Sequence, residues 1–298
     1  MSRDRIARIV DAVLYEGYML YPYRPSSVKN RQRWNFGVVV PEAYHRMIDP
    51  SERAVLKTQC LLEANDDTTV GICVRFLQLV KREVDETVER EIAVAPFHPL
   101  RLKNRMSTAI DIAAAGDGSS EAIRGEVIVE SEKAGDGGIR ISVSIANATP
   151  ADSIATRDDA LRRSLLSAHA VLTAQDGAFV SLLDPADSFR EEAAKCRQDG
   201  LYPVLVGEEG DRESVLAAPI ILYDHPQVAP ESPDNLFDGT EIDEILTLRI
   251  QTLSEEEKRE IRSADPRTRE LLERAENLEP EILARLHGVL RPVRSSHE

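Results

Sequence analysis

Residues 55–76 read VLKTQCLLEANDDTTVGICVRF, and the reading of this stretch decides the fold class. Leu56, Thr58, Cys60 and Leu62 alternate with Lys57 and Gln59; beyond Asn65-Asp66-Asp67-Thr68, Val70, Ile72, Val74 and Phe76 alternate again. Successive side chains of a strand point to opposite faces, so each run predicts a half-buried strand. Asn and Asp bond their own backbone in turns, which makes residues 65–68 the expected tip of a hairpin. Residues 88–94 supply a third strand, and residues 53–96 together predict an antiparallel meander. With a reversal at Asp66-Asp67, Cys60 and Cys73 are expected opposite one another and reduced, with Cβ atoms ~4.5–5.5 Å apart.

Further along, residues 112–121 (IAAAGDGSSE) are small and flexible, as in a linker or long loop. A second hairpin is predicted from 122–130 through KAGDGG (133–138) to a strand in which Ile139, Ile141, Val143 and Ile145 alternate with Arg140, Ser142 and Ser144. A helix over 158–167 leads to a further hairpin turning at Gln175-Asp176-Gly177. A helix over 187–198 and strands 202–207 and 216–223 follow. Upstream, Ile6, Ile9, Val10, Val13 and Leu14 have helical spacing, and Gly17 can stop that helix. Beyond the proline-rich loop after Tyr223 only helices are expected. Ser254 and Glu257 form a capping box, and apolar stripes run through Ile242, Ile245, Leu246 and Ile250 and through Ile282, Leu286 and Leu290. The expected class is α+β: an antiparallel β-rich body with an N-terminal helix and a helical C-terminal region. Three regions are expected, 1–111, 112–237 and 238–298.

The 298 residues are 42% hydrophobic and 30% charged, which is the composition of a globular protein. A net charge of -15 argues against general affinity for nucleic acid or anionic membrane, because those encounters run on attraction to phosphate. No apolar run approaches the ~20 residues needed to span a bilayer. Charges interrupt the apolar part of residues 1–17, unlike the core of a signal peptide, so the cytoplasm is the expected compartment. Cys60, Cys73 and Cys196 form no CxxC pair, which excludes a four-thiolate zinc site or a disulfide framework within the chain. Phosphate-binding loops, nucleophile elbows and zinc-helix motifs are missing, so no catalytic residue and no cofactor are expected. The six histidines never pair at i, i+4. Asp224-His225, with Glu231 and Asp234 nearby, is a weak metal candidate. The alternative there is that Asp224 caps a turn and His225 packs against Pro226.

Residues 15–46 stand apart from the rest. They hold five of the seven tyrosines, the only tryptophan (Trp34) and Phe36, with Arg24, Lys29, Arg31, Arg33 and Arg46 among them. Residues 1–46 carry eight Lys/Arg against four Asp/Glu, so +4 sits here and -19 on the remainder. Tyrosine, tryptophan and arginine dominate protein-interface hot spots, which makes Tyr21, Tyr23, Arg24, Lys29, Arg31, Arg33, Trp34 and Phe36 the candidate partner-binding residues. Two other readings stay open: internal docking of the basic strip on the acidic body, and stacking on single-stranded nucleic acid, which the global charge disfavours.

The strings VLYEGYMLYPYRPSSVKNRQRWNFG (13–37) and APIILYDHPQVAPESPDNLFDGTEIDEILTLRIQTL (218–253) resemble an uncharacterised family of bacterial proteins encoded beside actinobacterial-type nickel–iron hydrogenases. That resemblance implies a non-enzymatic accessory or maturation role, with a hydrogenase subunit or maturation factor as the protein partner. It carries over no catalytic residue. The runner-up expectation is an enzyme of unknown class, with a site between residues 15–46 and the 224–234 loop.

Overall fold

Val55–Lys81 is a single strand of 27 residues, β1, with no chain reversal in it. The computed structural model describes residues 2–15, 36–81, 85–103, 105–135, 137–150, 154, 156–227, 255–262 and 273. By internal contacts the chain divides into two compact units, residues 1–16 with 34–227 and residues 17–33 with 228–298.

β1 runs antiparallel to β6 (Leu166–Val180) on both sides of residues 65–68. Ala64 faces Gly177 and Thr69 faces Gln175, so four residues of β1 stand opposite Asp176 alone. The Asp176 carbonyl accepts hydrogen bonds from Asn65 Nδ2 at 2.9 Å and from the Thr68 hydroxyl at 2.6 Å. Thr68 Oγ1 also accepts from the Asn65 amide, and Asn65 Oδ1 from the Asp67 amide. Asp176 itself adopts φ 54°. The turn-rich strings at 65–68 and 175–177 are thus two sides of one large bulge in a continuous ladder, and neither is a hairpin tip. Even-numbered residues keep the buried face of β1 on either side of it, from Leu56 to Leu62 and from Val70 to Phe76.

The bulge corrects the cysteine register. Cys60 pairs with Ile141, while Cys73 lies between Ala93 and Val171. The two are separated along one strand by on the order of 40 Å, at ~3.3 Å per residue. Being of opposite parity across the bulge, they also differ in surroundings: Cys60 lies in the core, and Cys73 is only partly buried.

The remaining strands are β2 (Asp85–Phe97), β3 (Met106–Ile112), β4 (Ile123–Ala134), β5 (Gly138–Asn147), β7 (Tyr202–Leu205) and β8 (Ser214–Ala218). They form one antiparallel sheet in the order β3-β4-β5-β1-β6-β8-β7, with β2 paired to the second half of β1. KAGDGG makes the expected β4–β5 turn, where a Cβ on Gly138 would lie 2.2 Å from the Ala134 carbonyl. Leu62, Val74, Phe76, Val127, Ile141, Val143, Leu172, Phe179 and Val215 share one buried cluster. Each such side chain contributes roughly 1.5–3 kcal/mol by leaving water.

Helix α1 (Ser2–Tyr15) docks on this sheet through Ile9, Val10, Val13 and Leu14, the stripe that the spacing predicts. Arg75 of β1 ties it down, reaching Asp11 at 2.7 Å and Glu89 of β2 at 3.1 Å. The other helices among the described residues are short: α2 (Glu42–Met47), α3 (Arg157–Leu161, with a Thr156–Asp159 capping box), α4 (Arg190–Lys195) and α5 (Glu255–Arg262). The protein is therefore mostly antiparallel β, not α+β. Helical patterns at 158–167 and 187–198 yield only α3, a 3-10 turn and α4, because the chain is drawn into β6 and back towards β1. Residues 36–40 pair with the rest through a single bridge, Val39 to Leu165. Apart from α5 and Glu273, the C-terminal region expected to be helical lies outside the described residues.

Candidate functional site

Adjacent residues at the start of β6 hold both flanks of the aromatic segment. The Ser167 hydroxyl donates to the carbonyl of Val13, near the end of α1, at 3.0 Å. The Ala168 amide donates to the carbonyl of Gly37 at 2.8 Å. Ser167 and Ala168 are buried, and Ser167 holds the left-handed φ of 52°. Gly37 takes φ +61°, and a Cβ there would lie 2.9 Å from both the Ala168 nitrogen and Pro219. Only glycine fits so close an approach of two backbones.

Of the candidate partner-binding residues, Tyr21, Tyr23, Arg24, Lys29, Arg31, Arg33 and Trp34 lie outside the described residues. Phe36 is described and is 41% exposed. Tyr44 of the same segment is buried, whereas Arg46 is exposed and lies 3.7 Å from Glu42 on α2. Pro219, packed on Gly37, begins a stretch in which Ile221 and Tyr223 are 79% and 86% exposed. These two were missed in the sequence, where 216–223 predicts one strand. β8 ends at Ala218, and Ile221 and Tyr223 lie beyond its ladder with β6 and β7.

Asp224 and His225 serve the sheet. Asp224 Oδ1 accepts the Leu205 amide at 2.8 Å, and Oδ2 accepts the Ser181 hydroxyl. The His225 amide donates to the Leu205 carbonyl at 2.7 Å. Together they satisfy both backbone groups of the last residue of β7, as capping of a sheet edge requires. His225 takes φ 53°, and its Nδ1 is buried without a hydrogen-bond partner among the described residues. No group of three His, Cys, Asp or Glu able to hold a metal ion occurs among the described residues.

Burial sets the chemistry of the three cysteines and of His169. It pushes the Cys60 thiol well above its ordinary value and raises Cys196 as well. Cys73 is pushed up to about 12, by burial first and then by the Glu91 carboxylate. All three are held as thiols, whereas nucleophilic attack and metal ligation need the thiolate. His169 is fully buried on β6 and its pKa is lowered to about 4 by desolvation. Its Nδ1–H donates to the Ser167 carbonyl at 3.0 Å, and Nε2 has no hydrogen-bond partner among the described residues.

No described helix is long and apolar enough to cross a membrane. No protein-family model matches the chain, and no curated protein is significantly similar to it.

Proposed function

We propose that this is a non-enzymatic accessory protein that acts by binding another protein, with Phe36, Ile221 and Tyr223 in its contact surface. The observation carrying this reading is the exposure of Phe36, Ile221 and Tyr223 on two segments joined where Gly37 packs on Pro219. Large apolar side chains left in water near one another on a well-anchored scaffold mark interaction surfaces. Trp34, Arg31 and Arg33, next to Phe36 in sequence, are the residue types that anchor such contacts. The bonds from Ser167 and Ala168 fix both flanks of the aromatic segment, at Val13 and Gly37.

The partner is a hydrogenase subunit or maturation factor, and the compartment is the cytoplasm. Both rest on the resemblance and composition described above. Affinity purification from the native host with mass spectrometry tests the reading. Recovery of a hydrogenase subunit or maturation factor, lost in Phe36→Ser with Tyr223→Ser, is the expected result. Recovery of the same partners by wild type and variant alike would refute the surface. Recovery of proteins unrelated to hydrogenases would refute the partner.

A further inference from the structure

The sheet has two ends, β3 and β7, and they are finished differently. At the β7 end the chain leading into the strand returns to β1. The Lys57 amide donates to the Asp199 carbonyl at 2.8 Å, and the Asp199 amide to the Lys57 carbonyl at 2.9 Å. The side-chain amide of Gln198 extends that ladder by one step, accepting from the Gln59 amide and donating to its carbonyl. Asp224 and His225 cover Leu205. β2, the strand off the main path, carries Asp85, Glu86, Glu89, Arg90 and Glu91 and ends at Pro96-Phe97. Charges and proline on an edge are the usual guards against further pairing.

Of these devices β3 has only one charge, Asp111, which lies 3.9 Å from Arg124 of β4. Met106–Ile112 pairs with β4 over its full seven residues, and no hydrogen bond reaches its other edge among the described residues. The strand contains no proline, no lysine and no bulge. Its exposed face is built of small or short side chains, Ser107, Ala109 and Asp111, which leave room for a neighbour. Just before it, Arg101, Lys103 and Arg105 are all exposed. Arg101 donates to the Asp66 carbonyl, while Lys103 and Arg105 enter no ion pair or hydrogen bond among the described residues. In a chain of net charge -15, these cations gather at the N-terminal end of the open edge, while the one acid of β3, Asp111, lies at its other end against Arg124.

We propose that the free edge of β3 takes an acidic, extended peptide as an added antiparallel strand. Backbone hydrogen bonds along 106–112 supply affinity, and alternation decides which peptide side chains face the sheet. Antiparallel addition continues the pairing used throughout this sheet, and it lays the C-terminal part of the peptide beside Lys103 and Arg105. Acidic residues at that end are selected, and they also speed encounter at low salt.

The probe is a nine-residue peptide of alternating threonine and valine ending in three glutamates, with a matched peptide ending in three lysines. Hydrogen exchange on the full chain is expected to show fast alternate amides within 106–112, slowed tenfold or more by the acidic peptide and unaffected by the basic one. Lys103→Glu with Arg105→Glu, both at exposed positions, is expected to weaken binding at least tenfold and to invert the preference. Equal binding by a peptide N-methylated at alternate residues would overturn the added strand, since only side-chain attraction would remain. So would protection of every amide in 106–112 without peptide, or protection that grows only with protein concentration. The first would mean the edge is already covered by this chain, and the second that it pairs with a second copy.

Discussion

Asp224 and Leu205 are joined through the side chain of one and the backbone of the other: Asp224 Oδ1 accepts the Leu205 amide at 2.8 Å, where an ordinary sheet would place another strand. The carboxylate thus finishes a sheet edge, with the Ser181 hydroxyl on its second oxygen. Asp224→Ala leaves that amide and hydroxyl unpaired in a partly buried setting. It should cost about 1–3 kcal/mol, read as a lower denaturant midpoint with an unchanged m-value. Divalent metal should shift the midpoint of neither protein; a metal-dependent rise in wild type that Asp224→Ala abolishes would support the metal reading instead.

Ser167 makes a second checkable contact. Its hydroxyl satisfies the Val13 carbonyl in a buried place, so Ser167→Ala should cost about 1–3 kcal/mol. The loss should be local to α1. Amide exchange in 9–14 should accelerate more than in β4 or β5, because the helix loses its bond to β6 while the hairpin is untouched. Uniform acceleration across the sheet would show that the contact does not separately secure the helix.

His169 predicts a pH dependence. Its folded pKa of about 4 lies below the ordinary value of 6.5, chiefly through burial, so the unfolded chain takes up the proton first as pH falls. Its contribution is fully present above about pH 6.5 and is lost progressively down to about pH 4. Over that window the slope approaches ~1.4 kcal/mol per pH unit. Denaturant titrations at several pH values should show the slope, and His169→Gln should flatten it. The His169 ring resonance should not titrate near pH 6.5; a normal titration there would end the argument.

The sequence made parts of this fold legible because their causes are local. Alternation along 55–81 marks β1, and KAGDGG marks the β4–β5 turn. The hairpin was misread because Asn65-Asp66-Asp67-Thr68 satisfies its own backbone in the same way whether a chain reverses or bulges. What decided between them is the Asp176 carbonyl, 111 residues from Asn65 and 108 from Thr68. Asp224 shows the same limit: its acid–histidine step is visible in sequence, but the amide it caps lies 19 residues away on another strand. For the candidate site, residue type singled out Phe36, which is exposed, while Tyr44 of the same aromatic segment is buried. An aromatic's chemistry suits an interface and a core alike, and only packing separates the two.

That ambiguity sets the test for Trp34. The residue lies outside the described residues, two positions before the exposed Phe36. If it anchors a partner, Trp34→Ala should cost about 2 kcal/mol or more of binding and leave the melting temperature unchanged. Charge reversal at Arg31 and Arg33 should mainly slow association and reduce its dependence on salt. A ring packed inside the protein behaves otherwise, and the same change would then cost roughly 3–5 kcal/mol of stability. Thermal melts and a pulldown with one variant separate the cases, provided binding is scored on the fraction that remains folded. A large fall in melting temperature with binding intact in that fraction would remove Trp34 from the interface and leave internal docking as the reason for its place among the arginines.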